Sequence, residues 1–237
     1  MVTHAILAAG RGTRLFGEVG GNKAMVPLDR GHLIDYVVRE TESLPLTATR
    51  VLVPYHDRSI AARVTSLTGS KVIPVPSPSD GTGPGIRRLL NGISSELIAL
   101  TTCDLIAPRG ALSKFMLAAR ELLGTEAPRC VVATSSIDEL DPVPIYVHAS
   151  NGMVTAYGKT APRSERTFAG ARLMNLAFVG LLLRSDEGLT TDTAMMAEIV
   201  KSYPDAVLHI DVDGLFDVDD GRALSEATKL TKEDRHD

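Results

Sequence analysis

Two glycine-rich loops and two acidic positions are the parts of this 237-residue chain whose residue types could handle phosphate. The first loop is Leu7-Ala8-Ala9-Gly10-Arg11-Gly12-Thr13-Arg14. Gly10 and Gly12 carry no Cβ, so the backbone can turn tightly there and approach a ligand closely. Successive N–H groups in such a turn form an anion-binding concavity, to which Arg11 and Arg14 add charge and forked donors. A Gly-x-Gly pair also describes a plain tight turn. The loop is not the G-x-G-x-x-G dinucleotide fingerprint, because its third glycine is off register. Nor is it a P-loop, because the G-K-[ST] ending is missing. The second loop, Asp80-Gly81-Thr82-Gly83-Pro84-Gly85, opens a helix and could present backbone amides, although its Gly-Pro content also suits a simple turn.

Of the acids, Asp104 follows the apolar run Leu97-Ile98-Ala99-Leu100-Thr101, which places a carboxylate at the C-terminal end of a buried strand. Mg²⁺ suits such a position, since it takes few protein carboxylates and completes its shell with phosphate oxygens and water. Near the C-terminus, Leu215-Phe216-Asp217-Val218-Asp219-Asp220-Gly221 leads into a helix. A strand pleat sends Asp217 and Asp219 to one face and Val218 to the other, while Asp220 suits the helix N-cap. An acidic cluster of this kind is also what a solvated turn looks like, but two buried like charges favour a cation between them.

The elements that must position these residues follow from periodicity. Residues 2–8, 51–53, 72–75 and 97–101 are short apolar runs that read as strands, and Pro74 puts the third of them at an edge or strand end. Helices are predicted over 33–41, 59–67 and 85–93, and an amphipathic helix over the stretch from Pro108 to Gly124. Strands at 130–134, 145–148 and 153–157 follow, then a helix at 191–202, a strand at 207–210 and a helix from Gly221. Alternation of strand and helix in the first half predicts an α/β fold: a single doubly wound, mostly parallel sheet with ligands at the strand C-termini. Residues 143–183 are richer in strands and are expected to form a small antiparallel extension over the cleft. The length suits one domain over 1–230, with an NTP-binding half at about 1–135, an acceptor-binding part at about 136–230 and a charged, frayed tail at 231–237.

A wider pattern is more specific than any single motif. Ala5-Ile6-Leu7-Ala8-Ala9-Gly10-Arg11-Gly12-Thr13-Arg14-Leu15, then Lys23-Ala24-Met25-Val26-Pro27-Leu28, then Leu33-Ile34-Asp35-Tyr36-Val37 resembles the signature of the sugar-phosphate nucleotidyltransferase and MobA-like superfamily. The match covers residues 5–38; Asn22 stands where many members have proline. The resemblance implies a Rossmann-like nucleotidyltransferase fold of GT-A type and transfer of a nucleotide from an NTP to a phosphorylated acceptor, with release of pyrophosphate. It implies that Arg14 and Lys23 contact the triphosphate and the transition state, and that residues 7–13 cradle the phosphates. Gly81, Thr82 and Gly83 would lie against the base. It further implies a Mg²⁺ held by Asp104 and by Asp217, with Asp219 the alternate. Lys159, Arg166 and Asn175 fall in segments similar to those that line the acceptor pocket of relatives, although structural polar residues would look the same.

Composition limits the alternatives. A net charge of −4, the absence of tryptophan and the lack of a basic run argue against nucleic-acid binding. No apolar run approaches the ~20 residues that span a bilayer, and the N-terminus lacks the features of a signal peptide, so no membrane association and a cytoplasmic protein are expected. Cys103 and Cys130 have no metal-ligand spacing and read as small buried hydrophobes. A nucleotide-sugar glycosyltransferase would normally carry Asp-x-Asp at the mid-chain strand end, where Thr102-Cys103-Asp104 offers one acid. A non-catalytic nucleotide-binding module is the other rival, and it has no need for the complete set of Arg14, Lys23, Asp104 and Asp217. The base, the acceptor and the oligomeric state, a homo-oligomer included, stay open.

Overall fold

Apolar runs bounded by Gly, Pro or Asp supply strands, and helices with a single apolar stripe cover them. The computed structural model describes residues 1–10, 12, 15, 21–29, 31–42, 44–55, 57–77, 81–124, 126–136 and 143–233. The first half contains β1 (Val2–Leu7), a 3-10 turn at Lys23–Met25, β2 (Pro27–Leu28), β3 (Gly31–His32), α1 (Leu33–Thr41) and β4 (Leu46–Val53). It continues through α2 (Ser59–Leu67), β5 (Lys71–Pro76), α3 (Thr82–Leu90), β6 (Leu97–Thr102) and β7 (Leu105–Ile106). The second half contains α4 (Ala111–Leu122), β8 (Cys130–Ser136), β9 (Tyr146–Ser150), β10 (Met153–Gly158) and β11 (Arg166–Asn175). It ends with α5 (Leu176–Arg184), α6 (Asp192–Ser202), β12 (Val207–Asp211), β13 (Phe216–Asp217) and α7 (Gly221–Glu233).

Nine strands form one sheet in the order β5-β4-β1-β6-β11-β8-β12-β10-β9, and β9 also pairs with β11. The sheet is mixed. β5, β4, β1 and β6 are parallel, as expected of the first half, and the proline-bearing β5 lies at the edge. The reversal comes at β11, which runs antiparallel to both β6 and β8, while β12 and β8 form a second parallel pair. The expectation of a mostly parallel sheet is therefore corrected: of the strand-rich region only β10 and β9 form an antiparallel extension, at the sheet edge, and β11 is inserted antiparallel in the middle of the sheet. Its residues from Ala169 to Asn175 are all buried, which suits a strand covered on both faces.

Three further boundaries differ from expectation. Helix α3 starts at Thr82 rather than at residue 85, with Gly83 and Gly85 inside it. A Cβ on Gly83 would stand 2.5 Å from the Leu189 carbonyl oxygen, so the glycine serves a close approach rather than a helix stop. Helix α5, which the sequence reading left within a strand-rich region, is capped by Asn175, whose side chain accepts from the Phe178 N–H. Helix α7 extends to Glu233 and buries Thr231, within the stretch expected to be a charged tail; residues 234–237 lie outside the described residues.

Both faces of the sheet are covered. Leu100, Val132 and Met174 pack with Ile86 and Leu89 of α3, Phe178 of α5 and Met195 of α6. On the other face, Leu173 and Val131 meet Phe115 of α4, and Ile6 and Val51 meet Ile34 of α1 and Ile60 of α2. Among the described residues no helix is long and apolar enough to cross a membrane.

One polar group sits at the centre of the parallel half. His4 of β1 is fully buried between Thr41 at the end of α1 and Thr101 of β6. The Thr41 hydroxyl donates to the Val37 and Val38 carbonyls, so its oxygen accepts from His4 Nδ1–H. Nε2 is then left to accept from Thr101, a tautomer assigned from the network. The ring is held neutral, and burial lowers its pKa from 6.5 to about 3. Between those values the unfolded chain binds a proton that the folded protein refuses, so stability present above pH 6.5 is lost on acidification. The expected loss is roughly 1.4 kcal/mol for each pH unit below the unfolded value. Urea titrations of the protein and of His4→Gln from neutral to mildly acidic pH should show the wild-type advantage shrinking as pH falls. A gap independent of pH would refute this role for His4.

Candidate active site

The C-terminal ends of β1 and β6 lie side by side, because Leu7 pairs with Thr102. From β1 the chain leaves through Ala8, Ala9 and Gly10 to Gly12, which has φ +53°. A Cβ on Gly12 would stand 2.8 Å from Lys23 Cβ, so the turn lies directly against the stem of Lys23. From β6 the chain passes Cys103 and Asp104 into β7, which pairs antiparallel with β13 in the register Leu105↔Asp217. The Val218 N–H donates to the Asp104 carbonyl at 3.0 Å. This small ribbon brings the acidic C-terminal segment to the mid-chain strand end.

At the centre stands Lys23. Its ammonium contacts Asp104 Oδ2 and lies 2.5 Å from Asp219 Oδ1. The side chains of Lys23 and Asp104 are 9% and 11% exposed and that of Asp219 33%, so the group is desolvated yet open on the Asp219 side. Burial works against the ammonium, but the carboxylates of Asp104 and Asp219 overcome it and hold its pKa above the ordinary lysine value. Asp217 lies deeper. Its Oδ1 accepts from the Thr102 hydroxyl at 3.1 Å. Burial and the neighbouring Asp104 charge push its pKa well above the ordinary carboxylate value, against the pull of Lys23. Asp220 caps α7, accepting from the Ala223 N–H at 2.9 Å, as the sequence indicates.

The structure thus brings together Lys23, Asp104, Asp217 and Asp219 with Gly12. Among the described residues no group of three or more His, Cys, Asp or Glu side chains is arranged to hold a metal ion. The ammonium lies between two of the acids, and the third is turned to Thr102. Two residues that the sequence reading missed shape this corner. Thr102 orients Asp217, and Gly170 of β11 (φ +69°) makes room for it. A Cβ on Gly170 would stand 2.6 Å from Asp217 Oδ1 and 2.8 Å from Thr102 Oγ1. The available signal was a lone glycine inside an otherwise apolar strand, which marks a bulge or a close approach. The ladder between β11 and β8 does shift register between Phe168 and Arg172.

Other expected site residues stand elsewhere. Arg11, Thr13 and Arg14 lie outside the described residues. Ala8, Ala9 and Gly10 follow β1 as expected, but the Ala8 side chain is buried in the core and its N–H donates to the Leu52 carbonyl at 3.0 Å. Gly81, Thr82 and Gly83 open α3, with the Gly83 N–H donating to the Thr190 carbonyl. Lys159 is exposed, directly after β10. Arg166 is tied to Asp211, its Nε donating to both carboxylate oxygens at 2.9 Å. Asn175 is corrected from an acceptor contact to a structural cap. Its Oδ1 accepts from the Phe178 and Arg129 N–H groups, and its Nδ2 donates to the Gly124 and Ala127 carbonyls. That uses its full hydrogen-bonding capacity. It also pairs with Leu97 at the start of β6, the end opposite Thr102.

The family model described as the MobA-like NTP transferase domain matches residues 4–171. No curated protein matches the sequence. Among solved structures, the fold is similar to the inositol-1-phosphate CTP transferase from T. maritima (TM-score 0.83, 18% identity, covering 99% of this chain and 96% of that one). It is also similar to a putative glucose-1-phosphate thymidylyltransferase from Bacillus anthracis (TM-score 0.78, 15% identity, 98% and 96% coverage). A third relative is UDP-glucose pyrophosphorylase complexed with UDP-glucose (TM-score 0.77, 15% identity, 98% and 99% coverage). At these identities the likeness establishes a shared Rossmann-like α/β fold.

Gly170→Ala tests the packing of this corner. A side chain there meets both a left-handed backbone and the Asp217–Thr102 pair. The expected cost is about 1–3 kcal/mol in urea unfolding. A substitution without effect on stability would mean that Asp217 is not held where it is described.

Proposed function

Since the chain belongs to the MobA-like NTP transferase domain family, we propose that it transfers NMP from an NTP to a phosphorylated small molecule, a sugar or alcohol phosphate, and releases pyrophosphate. The observation that carries this reading is the Lys23 ammonium held by Asp104 and Asp219 against the Gly12 turn. A buried cation beside a glycine turn, with carboxylates at a strand end, suits an incoming triphosphate better than any neutral substrate.

The reaction needs no protein nucleophile. An acceptor phosphate oxygen, already anionic near neutral pH, attacks the α-phosphorus; the bond from that phosphorus to the bridging oxygen breaks, and the electron pair leaves with pyrophosphate. The protein's task is to align the two substrates in line and to offset the charge that builds on the phosphoryl oxygens and the leaving group. Lys23 supplies that charge. As a triphosphate arrives, its ammonium exchanges carboxylate partners for phosphate oxygens, and Arg14, by its place in the motif, adds a second cation. The backbone of residues 7–13 cradles the phosphates, and Gly81–Gly83 borders the base. On the acceptor side, Lys159 is exposed and remains a candidate for the acceptor phosphate, while Arg166 would first have to leave Asp211.

We assign Mg²⁺ to the same corner. What supports it is the chemistry of the donors: Asp104 and Asp217, with Asp219 the alternate to Asp217, would offer hard oxygen ligands, and the Lys23 ammonium stands as the cation between Asp104 and Asp219. When bound, the ion supplies charge neutralisation at the triphosphate without proton transfer.

A panel of NTPs and phosphorylated acceptors with Mg²⁺, read by pyrophosphate release, tests the reading. Pyrophosphate is expected only from one matched pair or a few. Asp104→Asn should keep its circular dichroism spectrum and lose roughly a hundredfold or more in kcat. Absence of pyrophosphate across a broad panel, or full activity of Asp104→Asn, would count decisively against it.

A further inference from the structure

An arginine with no exposed surface stands in the apolar core, on the middle strand of the sheet. Arg172 of β11 pairs with Leu100 of β6 and Val132 of β8 and shares their core face. A guanidinium there is desolvated on every side, and such a placement persists only with a compensating charge. That charge is Asp192, whose Oδ1 accepts from Arg172 Nη2 at 2.6 Å. Nε and Nη1 of Arg172 have no hydrogen-bond partner among the described residues, so Asp192 is the polar contact that fixes the side chain. The charge on Asp192 holds the guanidinium protonated against the desolvation that opposes it.

Asp192 is the first residue of α6, and its backbone reaches the turn that opens α3. Its N–H donates to Thr82 Oγ1 at 3.0 Å, across 110 residues of sequence. Two residues earlier, the Thr190 carbonyl accepts from the Gly83 N–H at 2.9 Å. The fit is close: a Cβ on Gly81 would stand 2.5 Å from the Thr190 oxygen, and one on Gly83 the same distance from the Leu189 oxygen. Residues 189–192 therefore form a strut on which the Gly81–Gly83 turn is seated, and Arg172 is the anchor of that strut in the sheet. The anchor lies two residues along β11 from Gly170, which borders Asp217. One strand thus supports both the acidic corner and, through Asp192, the turn that opens α3.

We propose that Arg172 and Asp192 are positioning residues that set the Gly81–Gly83 turn for the nucleobase of the bound NTP. Neither touches substrate; they act through Thr82 and the backbone of residue 190. The inference rests on the nucleotidyltransferase reading, and it goes further by naming what holds the base-binding turn in place. Because the strut faces the turn rather than Lys23 and Asp104, its loss should weaken nucleotide binding while leaving acceptor binding and the rate at saturation largely alone.

The test is a thermodynamic cycle on nucleotide affinity. Asp192→Asn removes the charge that fixes Arg172 and keeps the backbone N–H. Thr82→Val removes the hydroxyl acceptor and leaves the ion pair untouched. Calorimetric titration with the preferred NTP should show each substitution weakening the Kd by up to about tenfold, the scale of one lost hydrogen bond. The double variant should be no weaker than the worse single one, whereas independent sites would multiply towards about a hundredfold. The KM of the acceptor should shift less than about twofold, as expected for residues that act only on the nucleotide side. If Asp192→Asn fails to fold, Arg172→Lys, which keeps a cation for Asp192 and lies away from the turn, takes its place in the cycle and in the contrast between NTP Kd and acceptor KM. Equal losses for both substrates, fully multiplicative losses or unchanged Kd values would overturn the inference alone. A wild-type protein that binds no NTP would overturn the nucleotidyltransferase reading and this inference with it.

Discussion

The ion pairs of Lys23 with Asp104 and Asp219 join three parts of the chain that are distant in sequence. Lys23 follows the first loop, Asp104 ends the mid-chain strand, and Asp219 lies 196 residues beyond Lys23. An ammonium that is 9% exposed cannot stand there without counter-charge, and two carboxylates cannot converge there without a cation. Each therefore requires the other, and the β7–β13 ribbon, the Gly12 turn and the capped start of α7 all bring the members within reach. In the proposed reaction the same electrostatics would be used twice: a triphosphate brings the negative charge to which Lys23 would turn, and a divalent cation would take its place beside the acids.

A second pattern is the distribution of buried polar groups. His4, Thr101, Arg172 and Asp192 lie in or against the centre of the sheet, where apolar residues would pack more simply. His4 is neutral, with both ring nitrogens bonded, so it ties β1, β6 and α1 together at no cost in charge. Arg172 is the opposite case, a charge balanced by one carboxylate, with two nitrogens that have no hydrogen-bond partner among the described residues. Such groups are expected where geometry matters more than stability, because a buried bond tolerates few alternative arrangements. Such a rigid centre suits the proposed transfer, in which two substrates would be held in line.

Asn175 shows how local similarity misleads. Its neighbourhood in sequence looks like a pocket lining, yet the residue caps α5 and joins it to the backbone at 124, 127 and 129. Both roles ask for a short amide at a strand end. Only the direction of β11 separates them, because an antiparallel strand carries its last residue to the end of the sheet away from the site. The same reversal brings Gly170 to Asp217 and Arg166 to Asp211.

Lys23 was a candidate only through the resemblance of its motif to a family signature; what was legible as local chemistry was the parallel first half, the edge or strand-end position of the proline-bearing β5, the glycine turn after β1, the N-cap at Asp220, and the candidacy of Asp104 and the Asp217–Asp219 pair. Each depends on neighbours within a few residues, through side-chain periodicity, backbone freedom or a capping bond. What only the tertiary structure decided was which distant groups meet: Lys23 with Asp219, Thr102 and Gly170 with Asp217, Arg172 with Asp192 and through it Thr82. Those meetings depend on strand order and direction, which are set by how apolar faces are buried across the whole sheet, and no window of the sequence carries that information.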